Sequence, residues 1–164
     1  MQRALSRIYV TDTLMERTGT LLASFGGPDP TEGVVYWFGF EIEDRSIVTT
    51  LMVPNTRASF GCVSTTAEDN ADVLTCVVGT PLVLIGQAHS HPGWGVRHSE
   101  VDDRETFPRF EGAISVVVPH FARKEFDLKL CGVHRFIGGV YRMLRTREVP
   151  KHLVVIPGER DFRN

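Results

Sequence analysis

Residues 81–88, a short run rich in Val, Leu and Ile, deliver two histidines, His89 and His91, separated by a single serine. Thr80-Pro81 bounds the run on one side and Pro92-Gly93 on the other, so it reads as a buried strand ended by a turn. Side chains alternate faces along a strand, so His89 and His91 point the same way, with Cα atoms about 6.6 Å apart. Two imidazoles at that separation can converge on one ion at about 2.0 Å each. A chain that buries such a strand must bring a sheet together around it and keep one of its ends open to chemistry.

Eight residues after His91, with seven between, stands Ser99, and Asp102 follows three residues later. The full pattern is H-x-H-x7-S-x2-D, and composition alone would produce it by accident about five times in ten thousand. Two histidines and one carboxylate are a catalytic zinc set, with the fourth position left for water. Ser99 and Asp102 also fit a local role. Ser-x-x-acid at the head of a helical run is a capping-box signal, so Ser99 can be an N-cap and Asp102 its partner. The two roles are compatible, because a carboxylate has two oxygens and a helix N-terminus holds an anion well.

The rest of the chain predicts strands at 7–11, 33–42, 46–54, 82–90, 114–121, 126–136, around 141–144 and at 152–157. Helices are predicted at 12–24, from a capping box Thr65-x-x-Glu68 to about Val78, and at 99–107. Helices and strands do not alternate strictly. The fold class expected is α+β, a mixed or mostly antiparallel central sheet flanked by helices. No repeat or linker divides the chain, so residues 1–164 are expected to form one domain.

A net charge of −2 and no block of like charge give no electrostatic case for nucleic acid. No apolar run reaches the roughly 20 residues that span a bilayer, and MQRALSRIYV lacks a signal-peptide core. Cys62, Cys76 and Cys131 are odd in number and lack CxxC spacing. They read as thiols in a reducing cytoplasm, the expected location. His98 reads as a solvated residue or a substrate contact. Trp94, between Gly93 and Gly95, reads as lining a groove for an extended tail or as packing on the helix at 99–107. His120, His134 and His152 read as structural.

The motif, with an upstream glutamate, resembles the signature of the JAMM/MPN metallopeptidases (JAB domains), and the resemblance covers most of the chain. RIYVTDTLMERTGTLLASFGGPDPTEGVVYWFG resembles the family opening of strand, helix and a glutamate entering a strand. TTAEDNADVLTCVVGTPLVLIGQAHSHPG resembles its second helix running into the His-x-His strand. The resemblance implies that His89, His91 and Asp102 bind one zinc per chain with a bound water. It implies that Glu32 is the general base and acid and that Ser99 steadies the oxyanion. Glu41 and Glu43 are the reserve choices for the base. The chain departs from the family pattern at Gly33, directly after Glu32, at Val35, which takes a usual glycine place, and at Gln87, where many eukaryotic members carry a tryptophan.

By the same resemblance, zinc would make hydroxide available near neutral pH, Glu32 would carry the proton to the leaving amine, and no cysteine or serine nucleophile is required. The substrate implied is the bond after the C-terminal glycine of a ubiquitin-like protein or its conjugates. The chain resembles the compact bacterial JAB proteins that accompany E1-like and E2-like partners, some of them in phage defence. A processing peptidase for a small sulfur-carrier protein and a non-catalytic MPN scaffold subunit stand as alternatives.

Overall fold

The structure, a computed structural model, describes residues 6–124 and 126–163. The expected domain 1–164 therefore extends over residues 1–5, 125 and 164, which lie outside the described residues. The chain runs β1 (Arg7–Thr11), α1 (Asp12–Ala23), β2 (Val34–Ile42), β3 (Arg45–Met52), β4 (Arg57–Ser59) and β5 (Cys62–Ser64). It continues with α2 (Ala67–Thr75), β6 (Val83–Ser90), α3 (Glu100–Glu105), β7 (Ile114–Val118), β8 (Gly132–Ile137), β9 (Val140–Met143), α4 (Val149–His152) and β10 (Leu153–Ile156). Eight strands form one sheet in the order β10-β1-β3-β2-β6-β7-β8-β9, and β4 and β5 form a separate hairpin. β1 pairs in parallel with β10 and β3, and β6 with β7; the other pairings of the sheet are antiparallel. The sheet is mixed, as the pattern of elements predicts.

β2 is the centre of the sheet because it is apolar on both faces. Val35 and Trp37 pack with Met15 and Leu22 of α1, and Trp37 donates its indole N–H to Thr18 Oγ1 at 3.2 Å. Val34, Tyr36 and Phe38 face the other way, onto Val73 of α2, and the Tyr36 hydroxyl donates to Asn70 Oδ1 at 2.6 Å. Each face has its own helix, so the strand needs no alternation of polar and apolar residues. At Gly39 the register with β3 shifts, and a Cβ there would lie 1.8 Å from the Ile47 carbonyl oxygen. Only glycine lets the two backbones approach that closely.

Several boundaries differ from the sequence expectation for local reasons. The capping box of α2 is one residue later than Thr65-x-x-Glu68: Thr66 Oγ1 accepts from Asp69 N–H at 3.1 Å and Asp69 Oδ2 accepts from Thr66 N–H at 2.8 Å. Both registers offer a Thr and an acid three residues on, and the backbone turn selects between them. The expected strand 114–121 stops at Val118. After Pro119 the chain makes a left-handed turn through His120, Phe121 and Ala122, with φ of 56°, 54° and 55°. Three non-glycine residues in that region cost roughly 1–2 kcal/mol each. The turn is held by Phe121 N–H to the His91 carbonyl, 2.8 Å, and His120 N–H to the Gly93 carbonyl, 3.2 Å. The first half of the expected strand 126–136 is a 3₁₀ turn at Leu128–Leu130, closed by Asp127 accepting from Lys129 N–H. The hairpin β4–β5 was not expected at all; its strands are three residues long and carry no clear alternation.

Among the described residues no helix is long and apolar enough to cross a membrane. Cys62, Cys76 and Cys131 are free thiols.

Candidate metal centre

The central pairing of the sheet carries the histidines to a common point. β2 and β6 run antiparallel with Val34 opposite His89, and Gly33 continues the register through Ser90 N–H to the Gly33 carbonyl, 3.0 Å. Continued by one more residue, this register sets Glu32 across from His91. Ser90 Oγ accepts from Gly33 N–H at 3.0 Å, and Glu32 N–H donates to the Ser59 carbonyl of β4 at 2.9 Å. Glu32 is thus fixed between the His-x-His strand and the hairpin, 4% exposed. Glu41 and Glu43 lie at the opposite end of β2, both exposed, with Glu43 in the turn to β3. The structure brings neither of these reserves to the cluster.

His89 and His91 turn their Nε2 atoms towards each other at 3.2 Å. Asp102 Oδ2 lies 3.2 Å from His91 Nε2, and Asp102 Oδ1 lies 3.7 Å from His89 Nε2. Ligand atoms of all three residues fall within 4.8 Å of one another. The fit to a tetrahedral ion is direct: bonds of about 2.0–2.1 Å at tetrahedral angles put neighbouring ligand atoms roughly 3.3 Å apart. Two neutral imidazoles that present lone pairs to each other at this distance repel, and a shared cation makes the same arrangement attractive.

The loop that returns the chain from His91 sets the tautomer of that histidine. His91 Nδ1 lies 2.8 Å from the Gly95 carbonyl oxygen, which can only accept, so the ring carries its proton on Nδ1 and keeps the Nε2 lone pair for the cluster. The loop sits down on β8 at Gly132, where a Cβ would meet the Val96 carbonyl oxygen at 1.8 Å. Sequence reasoning missed Gly95, because a carbonyl partner leaves no side-chain signal.

α3 holds the third group. Ser99 and Asp102 form a reciprocal capping box: Ser99 Oγ accepts from Asp102 N–H at 3.1 Å, and Asp102 Oδ2 accepts from Ser99 N–H at 2.7 Å. The helix is shorter than the expected 99–107 and ends at Glu105. Burial acts to raise the Asp102 carboxyl, but the adjoining His89 and His91 rings and the Ser99 N–H outweigh it and hold the group well below the usual carboxylate range. Asp102 is an anion at any physiological pH. Glu32 behaves oppositely. Burial pushes its carboxyl up, His91 opposes this, the Asp102 charge adds to it, and the result is about 7. Burial also lowers the pKa of His89, which keeps its ring neutral as a ligand must be.

The capping contacts of Ser99 leave its hydroxyl proton to donate elsewhere, so the two roles of this residue can be separated. If the hydroxyl meets a developing oxyanion, Ser99→Ala lowers turnover roughly 100-fold or more. If the residue only caps, the same change costs about 1 kcal/mol of stability and spares the rate, and Ser99→Asp restores stability. Thermal melts beside turnover measurements distinguish the outcomes.

His98 is not solvated. Its side chain is 2% exposed, with Nδ1 3.1 Å from Asp103 Oδ1 and Nε2 3.0 Å from Ser115 Oγ, and its ring stacks on His134 at 3.9 Å. The adjacent Arg97 suggested solvent; the strand of His134 behind the loop decided otherwise. Trp94 meets His120 and Lys124. It is 61% exposed, its ring edge meets His120 at 4.0 Å, and the Lys124 ammonium lies 4.7 Å from its centroid.

No protein-family model matches the chain. In solved structures it is similar to a protein from Desulfitobacterium hafniense determined in solution, with a TM-score of 0.67 at 16% identity over 92% of this chain and 93% of that one. It is also similar to the crystal structure of a JAB1/MPN domain protein from Archaeoglobus fulgidus, with a TM-score of 0.50 at 16% identity over 93% and 99%. These likenesses give the fold, which is MPN/JAB-like. Among curated proteins it is 32% identical over 113 residues to the "Probable metalloprotease y4jG" of Sinorhizobium fredii, spanning 66% of this chain and 69% of that protein. At that identity and coverage, and with a cluster of two histidines and an aspartate at the head of its central sheet, the chain belongs to the family of this metalloprotease.

Proposed function

We propose that the chain is a zinc-dependent isopeptidase or peptidase that hydrolyses the bond after the C-terminal glycine of a ubiquitin-like protein. The convergence of His89, His91 and Asp102 within 4.8 Å, beside a buried carboxyl at Glu32, carries the hydrolytic part of this reading. His89 Nε2, His91 Nε2 and one Asp102 oxygen would hold the ion. Zinc, when bound, supplies a Lewis acid that brings the pKa of water down towards about 7 and polarises a carbonyl oxygen.

The chain's own residues do the rest. Glu32, its pKa raised to about 7, can accept the proton of the attacking water at neutral pH and release it again to the leaving amine. His91 faces Glu32 across the strand pair, so the proton moves within one fixed pair of strands. Ser99, at the head of α3, can donate its hydroxyl proton to the developing oxyanion. Cys62 is half-buried with its thiol pushed up, first by burial and then by the charge of Glu32, which makes it a poor nucleophile.

The substrate part of the proposal rests on the resemblance of the motif and on the hairpin. Among the described residues β4 and β5 pair with no other strand of the sheet. Val63 and Ser64 of β5 line the same small cavity, about 30 Å³, as His89 and Asp102. An extended tail added to this hairpin by backbone hydrogen bonds would pass the cluster. Partners are E1-like and E2-like proteins where the substrate is a conjugate.

The expected result is release of a folded ubiquitin-like protein from a lysine conjugate or C-terminal fusion, cut after its terminal glycine. Free unstructured peptides are expected to be poor substrates, because the folded body supplies much of the binding energy. Chelator stops the reaction and a thiol-alkylating reagent does not. Mass spectrometry of products from candidate fusions reads the result. Cutting of unfolded casein at many unrelated sites would leave a general metalloprotease and end the ubiquitin-like assignment.

A further inference from the structure

His91 has a backbone carbonyl on its outer nitrogen, and His89 has none. The His89 ring is 1% exposed, so its Nδ1 cannot turn to bulk water. Among the described residues the polar group in reach of Nδ1 is the Gln87 amide, whose nitrogen lies 3.2 Å away, two residues earlier on the same face of β6. The amide also reaches Ser115 Oγ, 3.4 Å away, on the neighbouring strand at the register position directly beside it. Ser115 Oγ is 3.0 Å from His98 Nε2, and the His98 ring is clamped flat against His134, with 18° between their planes. Gln87, Ser115 and the His98 side chain are all at least nine-tenths buried.

We propose that Gln87, Ser115 and His98 form a buried relay that holds the His89 ring in the tautomer and orientation a metal ligand needs. The inference rests on the reading of the cluster as a metal centre. For Nε2 to offer its lone pair, His89 must carry its proton on Nδ1, and that proton needs an acceptor. Oxygen and nitrogen of an amide exchange places by a half-turn of the group. With the oxygen towards the ring, Gln87 accepts from His89 Nδ1–H through one lone pair and from the Ser115 hydroxyl through the other. Ser115 Oγ then accepts from His98 Nε2–H. In this direction His89 Nδ1–H, the Ser115 hydroxyl and His98 Nε2–H each have an acceptor. The Asp103 carboxylate favours the opposite direction, with the His98 proton on Nδ1; being 56% exposed, it can turn to solvent. Gln87 is therefore a positioning residue for the metal ligand, and Ser115 and His98 hold it from behind.

The test uses the full chain and reads zinc affinity by chelator competition and the visible absorption of the cobalt-substituted protein. Gln87→Met keeps length and volume but removes the acceptor. It is expected to weaken zinc binding about 10- to 100-fold and to change the cobalt bands, with the melting temperature of the metal-free protein little altered. Gln87→Glu offers a better acceptor and is expected to restore affinity. A space-filling role predicts the reverse order, since burying a charge costs more than burying a thioether. Ser115→Ala, which removes one hydroxyl, is expected to weaken binding several-fold and carries the test if Gln87→Met fails to fold. Wild-type affinity in Gln87→Met, or equal weakness in Gln87→Glu, overturns the relay. If His89→Ala itself binds zinc normally, the metal-centre reading falls, which is a different result from the relay failing alone.

Discussion

His89→Ala and Asp102→Asn are each expected to lose bound zinc and activity together. Purified wild-type protein should carry about one zinc per chain, and either variant only traces. The two histidine Nε2 atoms stand 3.2 Å apart and each has an Asp102 oxygen within 3.7 Å, so removing one residue leaves two donors and no closed set. The lost carbonyl polarisation is worth several kcal/mol, a factor on the order of 1,000 or more in turnover. Asparagine at 102 is the informative choice because its side-chain oxygen can still accept from Ser99 N–H and keep the capping box of α3. A folded Asp102→Asn protein without metal assigns the loss to ligation and not to the helix. Metal analysis of the purified variants checks this, and full zinc in a His89/His91 double substitution would put the ion elsewhere.

Glu32→Gln is expected to behave differently, keeping the zinc and losing on the order of 100- to 10,000-fold in turnover. Glutamine matches the size of glutamate and satisfies the same buried position, but it cannot take a proton. Because Glu32 is 4% exposed, no water replaces its function from the bulk. Glu41→Gln and Glu43→Gln are the controls. A strand rises about 3.3 Å per residue, so the nine steps from residue 32 to residue 41, most of them along β2, set Glu41 on the order of 30 Å from Glu32. Near-normal turnover in Glu32→Gln, with collapse in Glu41→Gln, would reverse the assignment.

Much of the candidate site could be read before any fold was known. His89 and His91 share a face because a strand repeats every two residues. Ser99 and Asp102 form a capping box because a Ser and an acid three apart satisfy each other's backbone N–H at a helix start. The apolar run before the histidines and the doubly buried stretch YWFGF identify the central strands β6 and β2 in the same way. In each case the deciding interaction spans a few residues, so the local pattern contains it.

What sequence could not supply depends on contacts between distant segments. The capping box of α2 offered two equivalent registers, Thr65 with Glu68 and Thr66 with Asp69, and only the path of the chain chose the second. His98 looked exposed beside Arg97, yet His134, 36 residues away, covers it. Which acid lies near His91 depends on which end of β2 meets it, and the antiparallel register sets Glu32, not Glu41, at that end. The tautomer of His91 is set by the Gly95 carbonyl, and Gln87 beside His89 meets Ser115 of β7, which in turn meets His98 of the loop before α3. The sequence by itself determined the residue types of the candidate metal cluster, their strand and the cap of α3. The tertiary structure decided which glutamate lies beside them and what stands behind each ring, because hydrogen bonds across strands and loops depend on register and packing, which no local spacing records.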